Sequence, residues 1–294
     1  MTEQRPSVAQ GVDQAPTVAL TIAATDSGAG AGIAADLRTF GALGVFGTLV
    51  VTAVTAQNTL GVRKFLAMTT AMVEAQLDAL LDDIPVRAAK TGMLATSANV
   101  KLLTSRSAAG DLPPLVVDPV LVASSGKALF PDEDLVGAYR ELFAYAAVVT
   151  PNLPEAVLLT GHAVTDLETA EKAARELQAL GPGLVIVKGG RRRDREAVDV
   201  AFDGRCVTLL RAPWIDTPNV HGTGCTFSAA IAANLALGLE PLEAALVAKE
   251  FVTRAIHGSA RWRLGAGHGP LDQFGARFAP GDTAETVSSR SSLL

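Results

Sequence analysis

Late in the chain, the residues Asn219-Val220-His221-Gly222-Thr223-Gly224-Cys225-Thr226-Phe227-Ser228 run into a stretch rich in small side chains (Ala229, Ala230, Ala232, Ala233, Ala236). The stretch reads as a helix, and Gly222 and Gly224 permit an irregular turn before it. The N–H groups of Thr223, Gly224 and Cys225 can then converge on one spot in front of the helix dipole. That is an anion hole, suited to a phosphoryl group carrying negative charge during transfer. Cys225 in the first turn is expected to have a lowered thiol pKa, since a helix N-terminus favours the thiolate. Taken alone, the residue also reads as a small buried cysteine.

A second small-residue stretch, Thr25-Asp26-Ser27-Gly28-Ala29-Gly30-Ala31-Gly32-Ile33, lets a ligand approach backbone N–H groups. Gly30-x-Gly32-x-x-Ala35 matches a dinucleotide fingerprint. That fingerprint expects an acid about 20 residues on, and residues 48–60 contain no Asp or Glu. A nicotinamide-dependent oxidoreductase is therefore disfavoured, and a Gly-rich turn packed closely on its helix is the plainer alternative. Ser125-Gly126-Lys127-Ala128 lacks the hydroxyl and the earlier glycine of a P-loop.

Four more polar groups follow apolar runs: Lys90-Thr91-Gly92-Met93, Val117-Asp118-Pro119-Val120, Thr150-Pro151-Asn152-Leu153-Pro154-Glu155 and Val187-Lys188-Gly189-Gly190. Each alone reads as a cap or turn. Together on one rim they offer Asp118, Glu155 and Asn152 to a hydrated Mg2+, and Lys90 and Lys188 to phosphates.

Such a rim needs a parallel sheet. Strands are predicted at 18–24, 48–55, 86–90, 115–118, 147–150 and 184–188. Helices are predicted at 32–43, 70–81, 132–145, 166–180, 223–237 and 241–257. Apolar strands without polar alternation imply burial on both faces. Their alternation with helices predicts an α/β fold with a central, mostly parallel sheet and helices on both faces. Ligands of such sheets bind beyond the carboxyl ends of the strands. Residues 204–210 read as a further strand, and 191–195 as a solvated basic loop.

The 294 residues are 49% hydrophobic, enough for a sizeable core. A net charge of -5 gives no positive field to attract nucleic acid. Two cysteines, Cys206 and Cys225, make neither a disulfide framework nor a zinc site. They fit a reducing cytoplasm. No apolar run reaches membrane-spanning length, and residues 1–16 lack a signal-peptide core. We expect disordered tails at 1–16 and 279–294 around one domain at 17–278.

With these motifs assembled, the chain closely resembles the hydroxymethylpyrimidine/phosphomethylpyrimidine kinases of thiamin biosynthesis, in the ribokinase superfamily. The likeness covers about residues 17–274. It rests on Leu20-Thr21-Ile22-Ala23-x-Thr25-Asp26, Ala31-Gly32-Ile33-x-Ala35-Asp36-Leu37-x-Thr39-Phe40, Ala56-Gln57-Asn58-Thr59, Lys90-x-Gly92-Met93-Leu94, Asp118-Pro119-Val120, Thr150-Pro151-Asn152-Leu153-x-Glu155-Ala156, Lys188-Gly189-Gly190 and His221-Gly222-Thr223-Gly224-Cys225-Thr226. The resemblance implies a three-layer α/β/α ribokinase-like fold. It also implies two successive ATP-dependent phosphorylations, of the aminopyrimidine alcohol and then of its monophosphate. Gln57 would hydrogen-bond the ring, with Ala31, Thr55 and Met93 lining its pocket and Asp36 beside it. Asn152, Glu155 and Asp118 would organise Mg2+, with Glu155 and Asp118 acting through water. Lys188 would serve the nucleotide, and Gly222 to Cys225 would form the anion hole. Cys225 stands where most superfamily members carry an Asp base.

Ala29, Val220 and Arg191 depart from residues common in the family, which carry Gly, Thr and His there. Relatives are often homodimers. The nearest rival is pyridoxal kinase, whose second cysteine in a flap has no counterpart in 120–127. A binding protein that has lost catalysis is a further rival, disfavoured because the reactive residues are all present.

Overall fold

The computed structural model describes residues 15–121, 132, 134–189 and 196–277. Most of both expected tails, the 191–195 loop, Ser125 to Lys127 and nearly all of the flap-like stretch lie outside the described residues.

In chain order the elements are β1 (Val18–Ala24), α1 (Gly32–Ala42), β2 (Phe46–Asn58), β3 (Gly61–Ala67), α2 (Thr70–Leu81), β4 (Val86–Thr91), α3 (Ser97–Ala108), β5 (Leu115–Val117), α4 (Leu135–Phe143), β6 (Val148–Val149), α5 (Leu153–Thr160), α6 (Leu167–Gln178), β7 (Leu184–Val187), β8 (Glu196–Phe202), β9 (Val207–Pro213), α7 (Thr223–Ala236) and α8 (Pro241–Ser259). Among the described residues they build one nine-stranded sheet in the order β3-β2-β1-β4-β5-β6-β7-β8-β9. The six strands from β2 to β7 are parallel, while β3, β8 and β9 extend the two sides antiparallel.

Alternate strand residues feed two cores. Leu20, Ile22, Leu115, Val117, Val149, Val185 and Val187 pack with α2 to α6 on one face. Ala19, Val116, Val148, Leu184 and Ile186 pack with α1, α7 and α8 on the other. Burial on both sides is why these strands are apolar throughout. Helix α7 is buried along most of its length, and its alanines let it lie close between the sheet and α8.

Strand order reverses between β1 and β4, so the loops after them diverge and leave a crevice at the carboxyl edge. Parallel pairing brings the segments following β4, β5, β6 and β7 to that edge.

Candidate active site

Two loops clasp each other at the crevice. Gly222, the residue capping α7, has φ +86°. A Cβ there would drive into the Gly30 carbonyl oxygen, and a Cβ on Gly30 would drive into the His221 ring. The α7 turn thus requires glycine at 222 and sits directly on the loop after β1. One expectation is corrected here: the Thr223 amide is not free, because it donates to Val220 O at 3.2 Å. Among the described residues the Gly224 and Cys225 amides have no acceptor. Two donors at the helix start therefore remain for an anion.

On one side the turn meets a charged cluster. A Cβ on Gly224 would lie 3.2 Å from Lys188 Nζ and 3.6 Å from Asp118 Oδ2. Lys188 Nζ donates to Asp118 Oδ1 at 2.9 Å. Thr150 Oγ1 reaches the same oxygen at 3.3 Å, and Ser228 Oγ reaches Oδ2 at 3.2 Å. Burial opposes the Lys188 charge, but Asp118 and Glu155 outweigh it and hold the ammonium pKa above its usual value.

Asn152 and Glu155 cap α5 reciprocally: Asn152 Oδ1 accepts from Glu155 N at 2.9 Å, and Glu155 Oε2 accepts from Asn152 N at 2.8 Å. Burial pushes the Glu155 carboxyl up to about 7, with Lys188 pulling the other way and the Asp118 charge adding to the rise. Lys188 N donates to Pro151 O, so the β6 and β7 ends are stitched together. Behind them, Asp199 accepts from Gly189 N at 3.0 Å and from Lys249 Nζ at 2.7 Å, which anchors the loop after β7 to α8.

The expected low thiol pKa of Cys225 is overturned. Burial pushes it up to about 11, although Lys90 and the Gly32 N–H both favour the thiolate. Desolvation outweighs the helix ends because Asp36 and Asp118 also face the sulfur with negative charge. At neutral pH the group is a thiol. Alkylation of Cys225 by iodoacetamide should be slow at pH 7 and rise about tenfold per pH unit toward 11. Peptide mass spectrometry would follow it separately from the exposed Cys206. A plateau below pH 8 would contradict the raised value.

Lys90 is also corrected: it does not lie at an open rim, and Asp36, expected beside the ring pocket, is the buried group it pairs with. Lys90 Nζ meets Asp36 Oδ2 at 2.9 Å with both side chains fully buried, and Thr21 Oγ1 donates to the same oxygen at 2.7 Å. Strand pleating turns Lys90 toward α1, so it has no path to a nucleotide phosphate. Instead it is a fixed positive charge behind Cys225. Lys90→Met should lower unfolding stability by about 3–5 kcal/mol, since it strands a buried carboxylate. Urea titration measures this, and a loss under about 1 kcal/mol would refute the role.

On its other side the turn meets the loop after β1. His221 Nε2 lies 2.9 Å from Asp26 Oδ2 and 3.1 Å from Gln57 Nε2. Asp26 also accepts from Gly28 N, Gly30 N and Ala31 N. Burial alone would raise the Asp26 pKa. The hydrogen bonds from His221, Ala31 and Gly28 outweigh it and hold the carboxyl below the usual range. Thr55 Oγ1 donates to Thr25 O at 2.8 Å and stands 3.4 Å from Gln57 Oε1. Ala31 caps α1, and the half-buried Met93 accepts from Thr52 Oγ1 through its carbonyl. Ala29 adopts φ +56°, a conformation that suits the glycine common in the family better, and its carbonyl accepts from Arg38. Asp26 and His221 each lie within a motif, but the 195 residues between them leave their pairing without a sequence signal.

Taken together, the switch point of a mostly parallel sheet, two unspent amides at a helix start and a lysine–carboxylate cluster at the carboxyl edge fit a small-molecule kinase of the ribokinase-like α/β/α class. Within that class the chain belongs to the phosphomethylpyrimidine kinase family, whose model matches residues 26–272. It is 47% identical over 259 residues to the hydroxymethylpyrimidine/phosphomethylpyrimidine kinase of Synechococcus elongatus, covering 87% of this chain and 97% of that one. Identity to the same enzyme of Rhizobium meliloti is 45%, with the same coverage. Among solved structures, an ADP complex of Bacillus subtilis pyridoxal kinase superposes with TM-score 0.83 at 38% identity, covering 90% of this chain and all of that one. Phosphomethylpyrimidine kinase from Clostridium difficile gives 0.70 at 37% identity, covering 81% of this chain and 99% of that one.

Proposed function

We infer that this chain uses ATP to phosphorylate 4-amino-5-hydroxymethyl-2-methylpyrimidine to its monophosphate and then to its pyrophosphate, in thiamin biosynthesis. The carrying observation is the α7 turn, with two unspent amides placed between the Lys188–Asp118 pair and the His221–Gln57 rim. In this reading Gln57, Thr55, Ala31 and Met93 hold the ring, and the hydroxymethyl group points at the turn. The Gly224 and Cys225 amides and Lys188 draw negative charge off the migrating phosphoryl group. ATP use is supported by pyridoxal kinase structures containing ADP or AMP-PCP.

The donor set sets the terms for Mg2+. Asp118 and Glu155 are hard carboxylates close enough to perturb each other. Among the described residues no cluster of three or more His, Cys, Asp or Glu could hold a metal directly. Asp118 and Glu155, with Asn152, therefore fit an ion that keeps its waters and takes its other ligands from ATP. When bound, it would neutralise phosphate charge.

We further propose a cytoplasmic homodimer. The free thiols suit a reducing compartment. The edge strand β3 leaves Val62, Phe65 and Leu66 exposed across its two faces, apolar area that a second copy would cover. No helix among the described residues is long and apolar enough to cross a membrane.

Pyridoxal phosphorylation is a second reading, favoured by the likeness to pyridoxal kinases. Against a dedicated role, Cys206 lies in the β8–β9 turn, at the end of the sheet opposite Lys188. A coupled ADP-release assay tests both readings. Turnover of the pyrimidine alcohol and then of its monophosphate is expected. Turnover of pyridoxal alone would replace the first reading with the second.

A further inference from the structure

We propose that His221, held by Asp26, is the residue that fixes which end of the Gln57 amide a ligand meets, and that it thereby selects an aminopyrimidine over its oxo counterpart. The inference rests on the reading of Gln57 as the ring-binding residue.

Donors and acceptors around the Gln57 amide fix its orientation. Asp26 is a buried carboxylate that takes three backbone N–H groups, so it can only accept. Its contact with His221 at 2.9 Å therefore requires the proton to sit on His221 Nε2. That N–H faces the Gln57 amide at 3.1 Å. An NH2 group there would set donor against donor, whereas the amide oxygen there shares the single His221 N–H with Asp26 in a three-centre hydrogen bond.

The far end of the amide gives the same answer independently. The Thr55 hydroxyl already donates to Thr25 O at 2.8 Å. What it has left for Gln57 is a lone pair, which suits an amide NH2 and not a second oxygen. Ser27 holds the Gln57 backbone through both its N–H and its carbonyl, so the side chain works from a fixed base. The glutamine is thus oriented with its oxygen toward His221 and its nitrogen toward Thr55.

Gln57 then has one oxygen lone pair to offer on the His221 side and one N–H on the Thr55 side. A 4-aminopyrimidine supplies the complement, an amino donor beside a ring-nitrogen acceptor. A 4-oxopyrimidine supplies the reverse pair, a carbonyl acceptor beside a ring N–H. The hydroxymethyl group must face the α7 turn, so the ring cannot turn over to compensate. Binding the oxo compound would require Gln57 to reverse, leaving the His221 N–H and the Thr55 hydroxyl mispaired. His221 is a positioning residue in this scheme and touches no reacting atom.

The test compares kcat/KM for 5-hydroxymethyl-2-methylpyrimidines carrying 4-amino or 4-oxo groups, in wild type, His221→Leu and His221→Gln. The leucine variant lacks the donor, and the glutamine variant can place an N–H near the same position. The expected result is that His221→Leu lowers the amino-over-oxo ratio about tenfold or more, with the KM for ATP unchanged, and that His221→Gln restores the ratio to within about threefold. Equal losses on both substrates in His221→Leu, or a glutamine variant no better than leucine, would overturn the proposal. Failure of the wild type to phosphorylate the amino compound would remove the underlying reading, and the inference with it. A normal wild type whose ratio the leucine variant shares would remove the inference alone.

Discussion

Gly222→Ala is expected to lower kcat by about a hundredfold or more with both the alcohol and the monophosphate as acceptor. Alanine is strained at φ +86°, and its methyl would push the α7 turn off the Gly30 carbonyl. The Gly224 and Cys225 amides then leave the place where charge develops, a loss comparable to removing a donor from an oxyanion hole. A control separates strain from chemistry. Gly238 also has positive φ, at +96°, but has open space where a Cβ would go. Gly238→Ala should cost stability while leaving kcat within about threefold of wild type. Steady-state kinetics with thermal unfolding of both variants decides the matter. A Gly222→Ala enzyme with near-normal kcat would mean that these amides do not meet the phosphoryl group.

Cys225→Asp should divide the two transfers, lowering kcat/KM for the monophosphate at least about tenfold more than for the alcohol. The sulfur is neutral at working pH, because burial pushes its pKa to about 11. A neutral group tolerates both acceptors. A carboxylate there would repel the anionic monophosphate, at a cost on the order of several kcal/mol for close charges in a poorly solvated site. The uncharged alcohol escapes that penalty and gains a base. Cys225→Ser keeps the site neutral and should leave binding of both acceptors largely intact while slowing the first transfer. Separate assays with each acceptor give the ratio. Equal losses, or a larger loss with the alcohol, would refute the account.

The raised thiol pKa shows where sequence reasoning reached its limit. A cysteine in the first turn of a helix is legible, but the carboxylates of Asp36 and Asp118 that face it come from α1 and the end of β5. Lys90 was misplaced for a related reason. Its position near a strand end was legible, but the pleat that turns it onto Asp36 depends on packing against α1. The 195-residue separation between Asp26 and His221 likewise hid their contact.

Elements followed the same logic. Strand β1 was read to the residue because every side chain in it is apolar or β-branched and buried. Helix α2 was equally clear. Strand β3 was missed because Gly61–Ala67 is exposed almost throughout and carries no burial pattern. Helix α3 was missed because Ser97–Ala108 is polar and weakly amphipathic, its start marked only by the Thr96 cap. Asp118, Asn152, Glu155 and Lys188 were legible as a group, since a parallel sheet must bring consecutive strand ends to one edge.

The stitch between Pro151 and Lys188 has a consequence for how this pocket can change over evolutionary time. One backbone hydrogen bond and one bridge join the chain segment bearing Asn152 to the segment bearing Lys188. A shift that improved the fit of one would drag the other along. Retuning toward a bulkier acceptor at this welded corner therefore takes matched changes in both segments rather than one substitution at a time.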